Sequence, residues 1–342
     1  MSESYEVDIF QCRGSSFDIG YSIGKQLKNN NIVNVYKEKM KPTIDIANME
    51  SIFTTFAPHL IEELKGISEG LDISYKEAAA IFSGYDIPKI DTMGCSATIT
   101  NEYYVRNYDF TPLLYDHLFQ LVDPEKSFAS AGYSQQVLGR IDGANSEGLV
   151  IGLHFVSYTE YQIGISAWTA IRMVLDTCSS TSQAVNMLKE IPHAACYNFS
   201  IGDKSGDIAV VEASPNKVVM REHNSYLTCV NHFQNQDLHQ KNRQHIEFSE
   251  KRNMHMQELN KQGFSEKQMF EQFKDSHSPL FFKNYDDFFG TLHTFSYSFH
   301  DSKVTTCLAQ GDNVVSFYLK NWANGEAIPE SIMSGKIERE SI

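Results

Sequence analysis

The chain changes its hydrophobic period at Met93-Gly94-Cys95, and that change limits what it can fold into. Upstream, after a short strand over 6–13, the spacing is helical. Ile19, Ile23 and Leu27 follow the capping pair Ser15-Ser16. Phe56, Leu60, Leu64 and Ile67 share one face of a helix over 53–71, and Asp72-Ile-Ser-Tyr-Lys-Glu reads as another helix start. Downstream, period two takes over: 95–100 with 103–109 and 135–142 with 148–156 read as strand pairs, followed by strands at 198–202, 207–213, 217–221, 226–230, 293–299, 304–309 and 314–319. Helices over 167–178 and 182–189 and a polar helical stretch from Leu238 to about Phe273 fall among them; the tail after Asn324 reads as irregular. Helices grouped between strands predict an α+β fold rather than alternating βαβ units, and no GxGxxG or P-loop motif is present. The division predicts a helical segment over 1–94, part of the same globule, and a larger unit over 95–342.

Composition narrows the function. With 43 acidic against 29 Lys and Arg residues the net charge is −14, which argues against nucleic acid as a partner. No apolar run approaches the ~18 residues of a membrane span. The polar, acidic start lacks a secretory pattern, so a cytoplasmic protein is expected. Six cysteines without a CxxC pair give no support to a zinc or thioredoxin site, and most should be small buried hydrophobes. No cofactor and no metal are expected; a small molecule is the expected partner, with a homo-oligomer allowed.

One cysteine stands apart. If Asn101-Glu102 form a two-residue turn, Thr100 faces Tyr103 and Cys95 falls opposite Tyr108, with Asn107 and Asp109 flanking it. Arg106 is then its diagonal same-face neighbour at roughly 7–8 Å. Arg106 favours thiolate, and Asp109 is placed to orient a protonated amine. The competing reading is a structural cysteine beside a surface ion pair.

Gly94-Cys95-Ser96 followed by Arg106-Asn107-Tyr108-Asp109-Phe110 resembles the processing site and hairpin of the N-terminal-nucleophile (Ntn) hydrolases. The nearer resemblance is to the acyl-CoA:6-aminopenicillanic acid acyltransferase family; choloylglycine (bile salt) hydrolases and acid amidases are more distant. Five further stretches agree in order: 13–20, 142–149, 172–185, 203–212 and Thr228-Cys-Val-Asn231-His232-Phe233. The resemblance implies a four-layer αββα sandwich and a precursor that cuts itself between Gly94 and Cys95. It further implies an enzyme that acts on linear amides or acyl thioesters through a Cys95 acyl-enzyme. It assigns Asp109 to the freed α-amine, Arg106 to the thiol, the side-chain amide of Asn231 and the backbone N–H of Asn145 to the tetrahedral oxyanion.

Relatives carry a supporting arginine in the late strand region, whereas 291–299 and 304–309 contain none; His293 or Tyr297 are the candidates for that space. Two other functions stay open. One is an unprocessed cysteine hydrolase using His232 or His154 as base; the other is a non-catalytic, ligand-binding descendant of the fold. Phe281, Phe282, Tyr285, Phe288 and Phe289 line an acyl pocket or pack a core, and Tyr285-Asp-Asp287 reads as a solvated helix start.

Overall fold

A computed structural model describes residues 2–89, 94–223, 225–285 and 289–338. Its centre is two stacked sheets. The larger runs, edge to edge, Lys217–Glu222, Ile208–Ser214, Cys196–Asp203, Leu149–Ser157, Asp142–Asn145, Ser130–Gln135, Leu118–Pro124, Ser2–Gly14 and Ile332–Glu338. The smaller runs Tyr226–Cys229, Gly94–Thr100, Tyr103–Phe110, Phe289–Ser298, Lys303–Leu308 and Val314–Tyr318. Hydrogen bonds cross between them, from Tyr104 Oη to Ser200 Oγ at 2.8 Å and from Tyr133 Oη to Thr306 Oγ1 at 2.7 Å. Strands throughout the centre are buried on both faces, as a sheet covered on both sides requires.

Helices cover the two outer faces. Ala167–Thr177 and Thr181–Glu190 pack on the larger sheet, and Glu247–Lys261 and Glu266–Lys274 on the smaller. The α+β expectation holds, with the helices arranged as the outer layers of an αββα sandwich.

The leading segment is woven into this body. Ser2–Gly14 lies inside the larger sheet, parallel to Leu118–Pro124 on one side and antiparallel to Ile332–Glu338 on the other. Ser15 caps the next helix, Ser16–Leu27, by accepting from Asp18 N, and Asn30 caps Asn31–Lys39. The 53–71 periodicity resolves into two helices, Ile46–Phe56 and His59–Leu71, because Pro58 cannot continue the first. Ser16–Leu27 and His59–Leu71 touch backbone to backbone. A Cβ on Gly20 would lie 2.1 Å from Glu63 O, and one on Gly66 2.1 Å from Phe17 O.

Three further expectations are corrected. The strand over 135–142 is broken: Gln136 and Val137 both take positive φ, 57° and 65°, in a tight turn whose N–H groups donate to the Asp116 carboxylate. The polar stretch from Leu238 opens on a single 3-10 turn, His239–Lys241, and becomes α-helical only from Glu247. The tail holds the strand Ile332–Glu338, whose apolar residues alternate, Met333 and Ile337 being buried. Asp286, Asp287 and Phe288 lie outside the described residues.

Candidate active site

The hairpin forms in the expected register. Cys95 pairs with Tyr108, Gly94 with Asp109 and Ala97 with Arg106. Thr100 Oγ1 accepts from the backbone N–H groups of Glu102 and Tyr103, which closes a turn that Asn-Glu alone would favour poorly. Cys95, Arg106 and Asp109 are all fully buried.

Two arginines serve this site from different layers. Arg106 reaches across to the larger sheet, donating to Ile141 O at 2.8 Å and Leu153 O at 3.0 Å, with Asp142 Oδ2 at 3.3 Å from its Nη1. Gly152 makes room for it, since a Cβ there would lie 2.6 Å from Arg106 Nη1. Arg252 comes from the outer helix Glu247–Lys261. Its Nη1 donates to Cys95 O and Ser96 Oγ, each at 2.8 Å, and its Nη2 to Asn231 Oδ1 at 2.8 Å. The same Nη1 stands 3.5 Å from Asp109 Oδ2. Phe282 and Phe289 cover the guanidinium at 5.1 and 5.8 Å. That is where two of the aromatic residues of the 281–289 stretch go, while Phe281 and Tyr285 are buried in the core.

Arg252 supplies the guanidinium that the late strands lack, and sequence reading missed it. Its signal is its place in a buried stripe: Ser249, Arg252, Met256 and Leu259 form the inward face of an otherwise polar helix. His293 bonds Asp142, its Nε2 lying 2.9 Å from Oδ2, and that oxygen is also the one beside Arg106.

The backbone of Cys95 is gripped by side chains at both ends. Its carbonyl accepts from Arg252, and its N–H donates to Asn231 Oδ1 at 2.8 Å. Asn231 thus turns its oxygen, not its N–H, toward Cys95, while its Nδ2 donates to Phe155 O at 2.9 Å. This differs from the donor role expected of it. Asp109 Oδ1 accepts from Thr291 Oγ1 at 2.7 Å, and Oδ2 has no hydrogen-bond partner among the described residues.

Asn145 stands elsewhere. Its Nδ2 donates to Leu175 O and Cys178 O and its Oδ1 accepts from the N–H groups of Glu147 and Leu149. All these partners belong to the 146–149 turn or the end of the Ala167–Thr177 helix, so the side chain ties a turn to the outer layer; the role expected of Asn145 belongs to its backbone N–H.

Electrostatics follow the geometry. Burial pushes the Cys95 thiol up to about 11; Arg106 pulls it down, Asp109 raises it and Arg252 lowers it again. Burial also raises Asp109, against Arg252, Thr291 and Arg106. His232 is held down to about 4, by burial and then by Arg221 and Arg252, and its Nδ1 meets Ser249 Oγ at 2.8 Å. His154 lies nearer the cysteine and is pushed well below its ordinary value by burial and then Arg106, while the Cys95 backbone opposes this. Its Nε2 meets Ser200 Oγ at 2.9 Å. In both, burial disfavours the protonated imidazole that a base would become.

Beside the hairpin, a cavity of about 690 Å³ is walled by Ile32, Val35, Phe110, Leu113 and Leu114, with Lys39 and Lys89 among its polar residues. Among the described residues no group of His, Cys, Asp or Glu is placed to hold a metal ion, and no helix is long and apolar enough to cross a membrane.

No curated protein sequence matches the chain. Among solved structures it is similar to a conjugated bile acid hydrolase from Clostridium perfringens, with 13% identity over 73% of this chain and 100% of that one and a TM-score of 0.45. It is similar to a penicillin V acylase from Agrobacterium tumefaciens, with 15% identity, coverage of 66% and 86% and a TM-score of 0.38. It is also similar to a Caenorhabditis elegans ortholog of N-acylethanolamine-hydrolyzing acid amidase, with 13% identity, coverage of 61% and 95% and a TM-score of 0.41. The sequence pattern described as acyl-coenzyme A:6-aminopenicillanic acid acyl-transferase matches residues 97–313, beginning two positions after Cys95. By that match the chain belongs to the acyl-coenzyme A:6-aminopenicillanic acid acyl-transferase family.

Proposed function

We propose that the chain is a self-processing cysteine amidohydrolase or acyltransferase whose mature nucleophile is Cys95. The observation that carries this reading is the grip on the Cys95 backbone: Asn231 holds its N–H and Arg252 its carbonyl, both by side chains. A strand residue needs no such grip; a residue whose amide is to become a free amine does.

In the precursor the Cys95 thiol attacks the Gly94 carbonyl, the C–N bond breaks as the S–acyl bond forms, and the proton passes to the departing amine. Water then hydrolyses the thioester, leaving a Gly94 carboxylate and an N-terminal Cys95. The freed amine has an ordinary pKa near ~8, far better matched to a thiol than the lowered His232 and His154. Asn231 Oδ1 and Asp109 Oδ2, which carries the Arg252 ion pair but no hydrogen bond, are the acceptors for its added protons. In turnover the amine takes the thiol proton, the sulfur attacks an external amide or thioester, and water or an acceptor amine resolves the acyl-enzyme. Arg106 favours the thiolate. The backbone N–H of Asn145 keeps its proposed part as a donor to the tetrahedral oxyanion, its side chain being bonded into its own turn.

The substrate class is a linear amide, an N-acyl amino compound or an acyl thioester. Arg252 supplies a guanidinium at Cys95 although the late strands carry none, which favours a catalytic over a ligand-binding reading. The test is the denatured mass of fresh wild-type protein beside Cys95→Ala. Wild type should give two fragments, the second beginning at Cys95, and the variant one. A wild type that stays whole through prolonged incubation sinks the proposal.

A further inference from the structure

Arg106 shares its carboxylate with a histidine. Asp142 Oδ2 lies 3.3 Å from Arg106 Nη1 and 2.9 Å from His293 Nε2. At the far side of the ring, Nδ1 meets the Tyr115 hydroxyl at 2.8 Å. The imidazole lies flat on Tyr133, centroids 3.6 Å apart at 11°, and Tyr108 stacks on it at 5.4 Å. Tyr108 is also the residue paired with Cys95. All of these side chains are fully buried.

The protonation pattern follows from the partners. A carboxylate only accepts, so Nε2 carries the proton, and the neutral ring leaves Nδ1 to accept from the Tyr115 hydroxyl. Burial raises Tyr108, Tyr115 and Tyr133 well above 10, so these phenols stay neutral. Asp142 and Arg106 are therefore the charged groups facing the imidazole. A carboxylate oxygen serving two donors offers each less of its charge. The Nε2–H draws part of Asp142 away from Arg106 and leaves the guanidinium more of its pull on the thiol, the largest attraction that Cys95 feels.

We propose that His293 is a positioning residue. By donating to Asp142 it divides that carboxylate between two partners, holds Arg106 in place, and so sets the reactivity of the Cys95 thiol. This rests on the reading of Cys95 as nucleophile and adds a residue outside the reach of the substrate.

The test is the rate at which iodoacetamide alkylates Cys95 in the full chain between pH 7 and 9.5, read by peptide mass, with the half-buried Cys12 as internal reference. His293→Leu removes the donor and returns all of Asp142 to Arg106. It should slow Cys95 about tenfold at pH 8, the thiolate loss for a one-unit rise, and leave Cys12 unchanged. His293→Gln keeps an N–H for Asp142 and should recover most of the rate. Tyr115→Phe, the mildest change, should slow Cys95 about two- to threefold and decides the matter if His293→Leu does not fold. A merely structural role predicts the opposite sign, because a loosened core exposes the thiol and speeds alkylation. Cys95 rates in His293→Leu or Tyr115→Phe equal to or above wild type overturn the proposal, as does a Cys95 unlabelled in every form. Alkylation needs neither cleavage nor turnover, so a slowed His293→Leu in a chain that never cuts itself would sink the functional reading and leave this one standing.

Discussion

Arg252 is the residue on which most of the site converges, touching the Cys95 carbonyl, Ser96, Asn231 and Asp109 at once. Its fork is what lets one side chain do this, so Arg252→Lys should not rescue the loss. Both Arg252→Lys and Arg252→Met should slow the appearance of the Cys95 fragment by at least about 10²-fold, read by mass against time. Arg252→Met processing at the wild-type rate would remove Arg252 from the site. Cys95, Arg106 and Asp109 are legible in the sequence because a two-residue turn fixes every partner in a hairpin. Arg252 and the direction of the Asn231 amide are not, because they depend on a helix docking more than a hundred residues from Cys95. Buried histidines give a second prediction at this scale. His193 and His232 are both held down to about 4, chiefly by burial. Below their ordinary ~6.5 the unfolded chain binds the protons that the folded one refuses, so stability is lost as pH falls from about 6.5 toward 4. Urea midpoints should be level near pH 7 and fall steeply by pH 5; a level profile to pH 4.5 contradicts it.

At the scale of elements, the pair Ser16–Leu27 and His59–Leu71 is held by close approach at Gly20, Gly24, Gly66 and Gly70. Gly66→Ala would press a methyl into Phe17 O and should cost about 1–3 kcal/mol in urea unfolding, despite the higher helix propensity of alanine. A neutral or stabilised variant would show that the helices part easily. Element type was readable wherever period and caps agreed, as at Ser15, Ser74 and Ser166. It failed where a tertiary partner overrides local preference. The positive φ of Val137 is disfavoured for a β-branched residue and persists because Asp116 satisfies the turn. The Ile332–Glu338 strand exists because Ser2–Gly14 offers it an edge, which no local window reveals.

For the molecule as a whole, the leading segment is bound by charge as well as by sheet. Arg172 Nη2 meets Glu63 Oε2 at 2.7 Å, its Nε meets Asp176 Oδ2 at 2.8 Å, and His59 Nε2 reaches the same Asp176 oxygen at 2.8 Å. Removing one partner leaves a buried charge unmatched, so Glu63→Ala should cost about 3–5 kcal/mol. If the chain is cut after Gly94, the pieces should co-elute in native size-exclusion chromatography and separate in urea. Separation under native conditions would mean that the strand and these ion pairs do not hold the two parts together.

The pairing of Ser2 with Glu338 places the first and last of the described residues side by side, while Cys95 lies deep within the fold. A few residues linking 338 to 2 would therefore close the ring, and reopening it between 94 and 95 would give a circular permutant translated with its cysteine next to the initiator methionine. Removal of that methionine by the host would then stand in for self-cleavage. Such a protein would separate maturation from turnover, allowing substitutions that block the cut to be studied for what they do to the reaction alone.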